Sequence, residues 1–102
     1  MDLLSLSLNG LILRDMGNLE QAATVLKRVL ALCCHVLGEE HITTANNYSN
    51  MASVYHHQGH VESAIAHQEQ AYRIYLNVFG SRHQWTNTKL NYLNELRNLQ
   101  VG

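Results

Sequence analysis

Three histidines fall within five positions of the stretch YHHQGHVESA, residues 55–64: His56, His57 and His60. Imidazole is a common transition-metal ligand, and two such side chains four apart on one helix can reach a single cation. His56 and His60 have that spacing. Gly59 lies between them, however, and a glycine there ends a helix, which places the two histidines on different elements. The nearest acid, Glu62, has a counterpart in Glu20, where no histidines cluster. A structural acid accounts for both copies, whereas a ligand accounts for one. The stretch reads as a solvated turn, and no metal or other cofactor is expected.

Nucleophilic chemistry is equally poorly supplied. Cys33, Cys34 and His35 are contiguous, and neighbours on a helix point about 100° apart. Cys33 and His35 therefore face away from one another, so no base reaches the thiol. Adjacent cysteines suit neither a disulfide framework nor a CxxC redox pair, and buried reduced thiols are expected. No GxSxG elbow, glycine-rich phosphate loop or HExxH pair is present. His41 and His83 recur at equivalent places in the chain, which points to a loop hydrogen bond or a packing role. The chain is read as non-catalytic.

The elements that carry these residues follow from composition and periodicity. At 102 residues the chain is one small domain, 46% of it is apolar, and proline is absent. That favours uninterrupted helices. Gly17, Gly38, Gly59 and Gly80 are spaced 21 residues apart, and four helix stops divide the chain into five helical segments. At an offset of 42, GNLEQAATVL aligns with GHVESAIAHQ and VLGEEHITT with VFGSRHQWT. The repeat unit is thus two helices, with units 1–41 and 42–83 and a partial unit 84–102. Helices are expected near 2–15, 19–37, 43–57, 61–79 and 85–99. Tyr48, Met51, Ala52 and Tyr55 form an apolar stripe. Ala52, Ala64 and Ala71 allow close helix approach, and Tyr48, Tyr55 and Tyr72 fill the space between pairs. Asn18 with Gln21 reads as a capping box. The expected fold is all-α, a right-handed superhelical stack of antiparallel helix pairs.

Tyr48, Met51, Ala52, Tyr55, Gly59, Ala64 and Ala71 resemble the signature positions of a tetratricopeptide repeat. The 42-residue unit with LGEEH and FGSRH between repeats looks like the kinesin-light-chain variety, which usually continues His-Pro; here His41 precedes Ile42 and His83 precedes Gln84. Residues 38–97 are more similar still to the last repeats of clustered-mitochondria proteins, through residues that include Ala45, Ser63, His67, Glu69, Tyr72, Ile74, Thr86, Lys89 and Leu93. That resemblance implies a cytoplasmic factor associated with mRNAs for mitochondrial proteins and needed for mitochondrial distribution. The kinesin-light-chain likeness implies instead a cargo or peptide-binding adaptor.

What remains for the chain to do is recognition. In a stack of helix pairs the first helices line a concave surface, and their non-core positions face a partner. In the second unit these are Asn46, Ser49, Asn50, Ser53, His56 and His57, and in the third Thr88, Asn91, Glu95 and Asn98. They are mostly neutral and polar, suited to bonding an extended peptide backbone. No Lys/Asn/Arg set is present, so a clamp for acidic C-termini is not expected. The first helix places leucine on nearly every face, and self-association through Leu3, Leu4, Leu8 and Leu11 is expected.

Seven basic and eight acidic residues leave a formal charge of −1. An affinity for RNA driven by phosphate neutralisation is therefore not expected of this segment alone, although Arg73, Arg82, Lys89 and Arg97 are candidate phosphate contacts. The opening MDLLSLSLNGLIL lacks a basic n-region and is not read as a signal peptide. No run is long enough to span a bilayer, so membrane insertion is not expected.

Overall fold

The structure, a computed structural model, describes residues 2–101, with Val101 described by its backbone alone. It contains α1 (Leu3–Asp15), α2 (Leu19–Val36), α3 (Ile42–His57), α4 (Val61–Phe79) and α5 (Gln84–Val101), and no strand among the described residues. The helix ends fall within two residues of those expected from the sequence. Each helix packs on the next in the chain, and α1 also touches α3. Connections this short make successive helices antiparallel. The result is a helical stack in which α1, α3 and α5 share one side.

The evenly spaced glycines stop the helices through their backbone. All four have positive φ, between +82° and +104°. At Gly17 the amides of Gly17 and Asn18 bond back to the carbonyls of Arg14 and Leu13, and at Gly59 those of Gly59 and His60 bond to His56 and Tyr55. This is the Schellman arrangement, which needs a left-handed residue at its centre. A Cβ at either glycine would meet no atom within 4 Å, so the requirement is conformational and not one of space.

The expected capping box is not formed. Asn18 precedes α2, but its side chain makes no capping hydrogen bond. Its ψ of 67° departs from the extended geometry that turns a cap side chain over the first amides, because Asn18 also closes the preceding Schellman turn. Caps are supplied elsewhere, by Asp2 at α1 and by the repeated histidines. Nδ1 of His41 accepts from the Thr43 amide and Nδ1 of His83 from the Trp85 amide, both at 3.0 Å. The recurring histidines therefore serve a loop hydrogen bond.

Three apolar clusters fill the spaces between helices. Ala22, Leu26, Met51 and Val54 join α2 to α3; Ala52, Ala64, Leu93 and Leu96 join α3, α4 and α5; Ala45, Ala71, Ile74 and Tyr75 join α3 to α4. Ala52, Ala64 and Ala71 are fully buried, and Tyr48, Tyr55 and Tyr72 pack against the clusters from their edges, as the sequence pattern requires. Each fully buried Leu, Ile or Met contributes about 1.5–3 kcal/mol from apolar burial. Gly10 is a small-residue notch that the pattern did not reveal. A Cβ there would stand 2.6 Å from Cγ and Cδ2 of Leu26, so α1 lies against α2 at this point with no room for a methyl group.

Polar side chains are also buried, and they fix the register. Ser7 Oγ donates to Asn47 Oδ1 at 2.8 Å, while Asn47 Nδ2 donates to the Thr43 carbonyl at 2.9 Å. One layer on, Ser49 Oγ donates to Gln68 Oε1 at 2.8 Å, and Gln68 Nε2 donates to the Lys89 carbonyl at 3.0 Å. The second chain of bonds ties α3, α4 and α5 together. Among the described residues no buried side-chain nitrogen or oxygen is left without a partner, as buried polar groups require. Cys33 is buried and Cys34 half-buried, both as free thiols, and burial raises the Cys33 thiol above its ordinary range.

Candidate peptide-binding groove

The shared side of α1, α3 and α5 carries two hollows. One, of about 370 Å³, is lined by Ile42, Asn46, Tyr75, Trp85, Thr88 and Lys89. The other, of about 230 Å³, lies between α1 and α3 and includes Leu4, Leu8, Leu11, Asn46, Asn47 and Asn50. Asn46 borders both, so the two hollows adjoin at its side chain.

The chemistry changes along the pair. The α1 wall is leucine. The middle is asparagine, held by α3. The α5 end combines an indole, a phenol and an ammonium group. Tyr75 reaches this end from α4 and donates its hydroxyl to Asn46 Oδ1. That bond sets the orientation of the Asn46 amide and leaves its Nδ2 donors for a visiting carbonyl. Lys89 Nζ sits 5.0 Å from the Tyr75 ring centroid, within cation–π range. Burial holds the Lys89 ammonium below the usual lysine range, and burial raises the Tyr75 phenol above its own. Trp85, 56% exposed, packs edge-on against Phe79, with ring centroids 5.1 Å apart.

The structure gathers some of the sequence-derived groove residues and disperses others. Asn46, Asn50 and Thr88 line the hollows. Ser49 turns inward to Gln68. Ser53 accepts from Arg14 Nη1 at 2.9 Å, and His56 Nδ1 lies 3.1 Å from the Tyr92 hydroxyl, so both are engaged between helices. His57 is exposed and donates from Nδ1 to the Ser53 carbonyl of its own helix at 2.7 Å. Asn91, Glu95 and Asn98 are exposed on α5 and border neither hollow.

Sequence reasoning missed Tyr75, because it comes from a second helix of the repeat. It missed Trp85 because that residue opens its helix, and it read Lys89 only as a phosphate contact. The offset of 42 would not have found Lys89, since it places that residue at the register of Asn47, a buried position.

His56 closes α3 and His60 stands at the start of α4, on separate elements as expected. Among the described residues no three His, Cys, Asp or Glu side chains converge on a site that would hold a metal ion. The other candidate phosphate contacts are scattered. Arg73 is paired with Glu40 at 2.8 Å and Arg97 with Glu69 at 3.4 Å, whereas Arg82 is exposed and in no ion pair among the described residues.

A family model described as tetratricopeptide repeat matches residues 2–77. The chain belongs to the tetratricopeptide-repeat family. It is also similar to the clustered mitochondria protein homolog of Xenopus tropicalis, with 28% identity over 93 residues. The matched segment is 91% of this chain and 7% of that relative, so the chain spans a small part of its length. Domains of this repeat family bind protein partners, and no helix among the described residues is long and apolar enough to cross a membrane.

Proposed function

We propose that this chain is a non-catalytic interaction module that holds an extended segment of a protein partner along α1, α3 and α5. The observation that carries this reading is that Asn46 lines both hollows, which therefore adjoin along α3. An extended chain has unpaired amides and carbonyls at every residue, and Asn46 and Asn50 offer both kinds of partner without demanding a particular side chain. Its similarity to the clustered-mitochondria relative supports placing the module, composed of units 1–41, 42–83 and 84–102, in a cytoplasmic factor concerned with mitochondrial distribution and with mRNAs for mitochondrial proteins. The formal charge of −1, together with the carboxylates on Arg73 and Arg97, two of the four candidate phosphate contacts, favours a protein partner for this segment over direct phosphate contact. The test is a pull-down with wild type and with Asn46→Ala plus Asn50→Ala. Loss of specific partners in the variant is expected, and an identical set of partners overturns the groove.

The α1 wall, which shares Leu4 and Leu8 with the groove, also supports self-association, in competition with a partner there. Leu4, Leu8 and Ile12 recur every four residues on α1, Met16 continues the spacing at its C-cap, and these are exposed, Leu4 at 81% and Met16 at 68%. Leu3 and Leu11, expected to join them, are half-buried. Such a stripe is costly to leave in water. Light scattering at rising concentration should show dimers or larger species for wild type and monomers for Leu4→Ser plus Leu8→Ser. A monomeric wild type at high concentration overturns it.

A further inference from the structure

The α5 end of the groove holds a positive charge that has no counter-charge among the described residues. Ion pairs among the described residues join Arg14 to Asp15, Arg73 to Glu40 and Arg97 to Glu69; Lys89 is in none of them. The six residues that line its hollow include no acid. Among the described residues its close electronic partner is the Tyr75 ring. Burying an ammonium group without an anion is unfavourable, and desolvation with no nearby carboxylate to offset it is what depresses its basicity. Around it stand a carboxamide at Asn46, a hydroxyl at Thr88 and the exposed indole of Trp85, which together present hydrogen-bond donors and a flat apolar wall.

We propose that this end of the groove selects a Glu or Asp side chain lying within an extended partner segment, with Lys89 as its counter-ion and an aliphatic residue of the same segment against Leu4 and Leu8. The inference rests on the interaction reading above and adds the chemistry of the partner. The acid belongs to the interior of the segment because the hollow beside Lys89 adjoins, at Asn46, the hollow lined by Asn50 and the α1 leucines. One lysine matches one side-chain carboxylate. The polyanionic backbone of a nucleic acid would need several unpaired cations along its path, whereas Lys89 is the one basic residue among those lining the two hollows.

Trp85, the single tryptophan of the chain, lines the hollow and reports on its occupancy by fluorescence. The full chain is titrated with acetylated, amidated dodecapeptide mixtures that carry Glu at the centre and randomised Leu, Ile, Val, Ala, Ser and Asn elsewhere. Matched mixtures carry Gln at the centre, and a third arm uses a single-stranded oligouridine. The Glu mixture should shift Trp85 emission at a concentration about tenfold lower than the Gln mixture, the size of one charge-assisted contact. Lys89→Met should abolish that preference while its circular dichroism stays helical, and Lys89→Arg should keep most of it. Equal midpoints for the Glu and Gln mixtures, or a Glu preference that survives Lys89→Met, overturn the acid selection and leave the groove reading standing. Silence to every peptide mixture overturns both, and a response to the oligouridine alone replaces both with nucleic-acid binding.

Discussion

The first and second helix pairs place different residues at the same positions of one scaffold. An offset of 42 sets Leu4 and Leu8 of α1 over Asn46 and Asn50 of α3, and Leu26 of α2 over Gln68 of α4. At the surface the exchange turns an apolar wall into a row of carboxamides. In the core it turns a leucine seated against Gly10 into an amide bonded to Ser49 and to the Lys89 carbonyl. The backbone turns and the histidine caps are alike in both pairs. Repeat geometry is therefore carried by few positions, and the rest are free to be set by what each pair must contact.

Core substitutions should break this comparison most visibly. Leu26→Ala is expected to cost about 2–5 kcal/mol in chemical denaturation, because a fully buried side chain leaves a cavity. Gln68→Leu, which copies the first pair into the second at similar volume, should cost less. Its loss of about 1–3 kcal/mol would come from the stranded Ser49 hydroxyl and Lys89 carbonyl. If Gln68→Leu were neutral, the polar bridge would have no energetic role.

Turn substitutions test the likeness of the two pairs. Gly17→Ala and Gly59→Ala should each lower stability by roughly 1–2 kcal/mol, the cost of a Cβ at positive φ, and by similar amounts because neither site has a steric neighbour. His41→Ala and His83→Ala should each cost about 1 kcal/mol, the usual worth of an N-cap, read as matched shifts in melting temperature. Unequal losses in either set would show that the pairs differ in their turns as well as their contacts.

The smallest effect concerns Lys89. Burial places its folded-state pKa below the ordinary lysine value, so the unfolded chain binds more protons in the interval between the two. The penalty is full at neutral pH and fades as the pH rises through that interval. Lys89→Met should therefore melt slightly higher than wild type at pH 7, and the gap should close in alkaline buffer. A gap that widens with pH would reverse the assignment.

Much of the fold was legible because its signals are local. Glycine at 21-residue intervals marks helix ends whatever the surroundings, and the alanine notches at Ala52, Ala64 and Ala71 repeat with the helical period. The groove was legible only in part. Asn46, Asn50 and Thr88 follow from helix register alone, whereas Ser49 turns inward because Gln68, nineteen residues away, offers it an acceptor. Tyr75, Trp85 and Lys89 meet because α4 and α5 converge there, and no periodicity within one helix encodes that meeting. The capping box failed for a related reason: the residue proposed as a cap was already closing the turn before it.

The amide of Gln68 has one face that gives a hydrogen and one that takes one, and three neighbouring rods depend on which way it points. Greasy contacts tolerate a small slide, since one aliphatic group serves much as another. A two-sided amide does not: shifting any rod by a residue would break one or both of its bonds. Alignment along this seam is thus enforced by polarity, and a partner pulling on the third unit would meet a latch before it met the softer packing behind it.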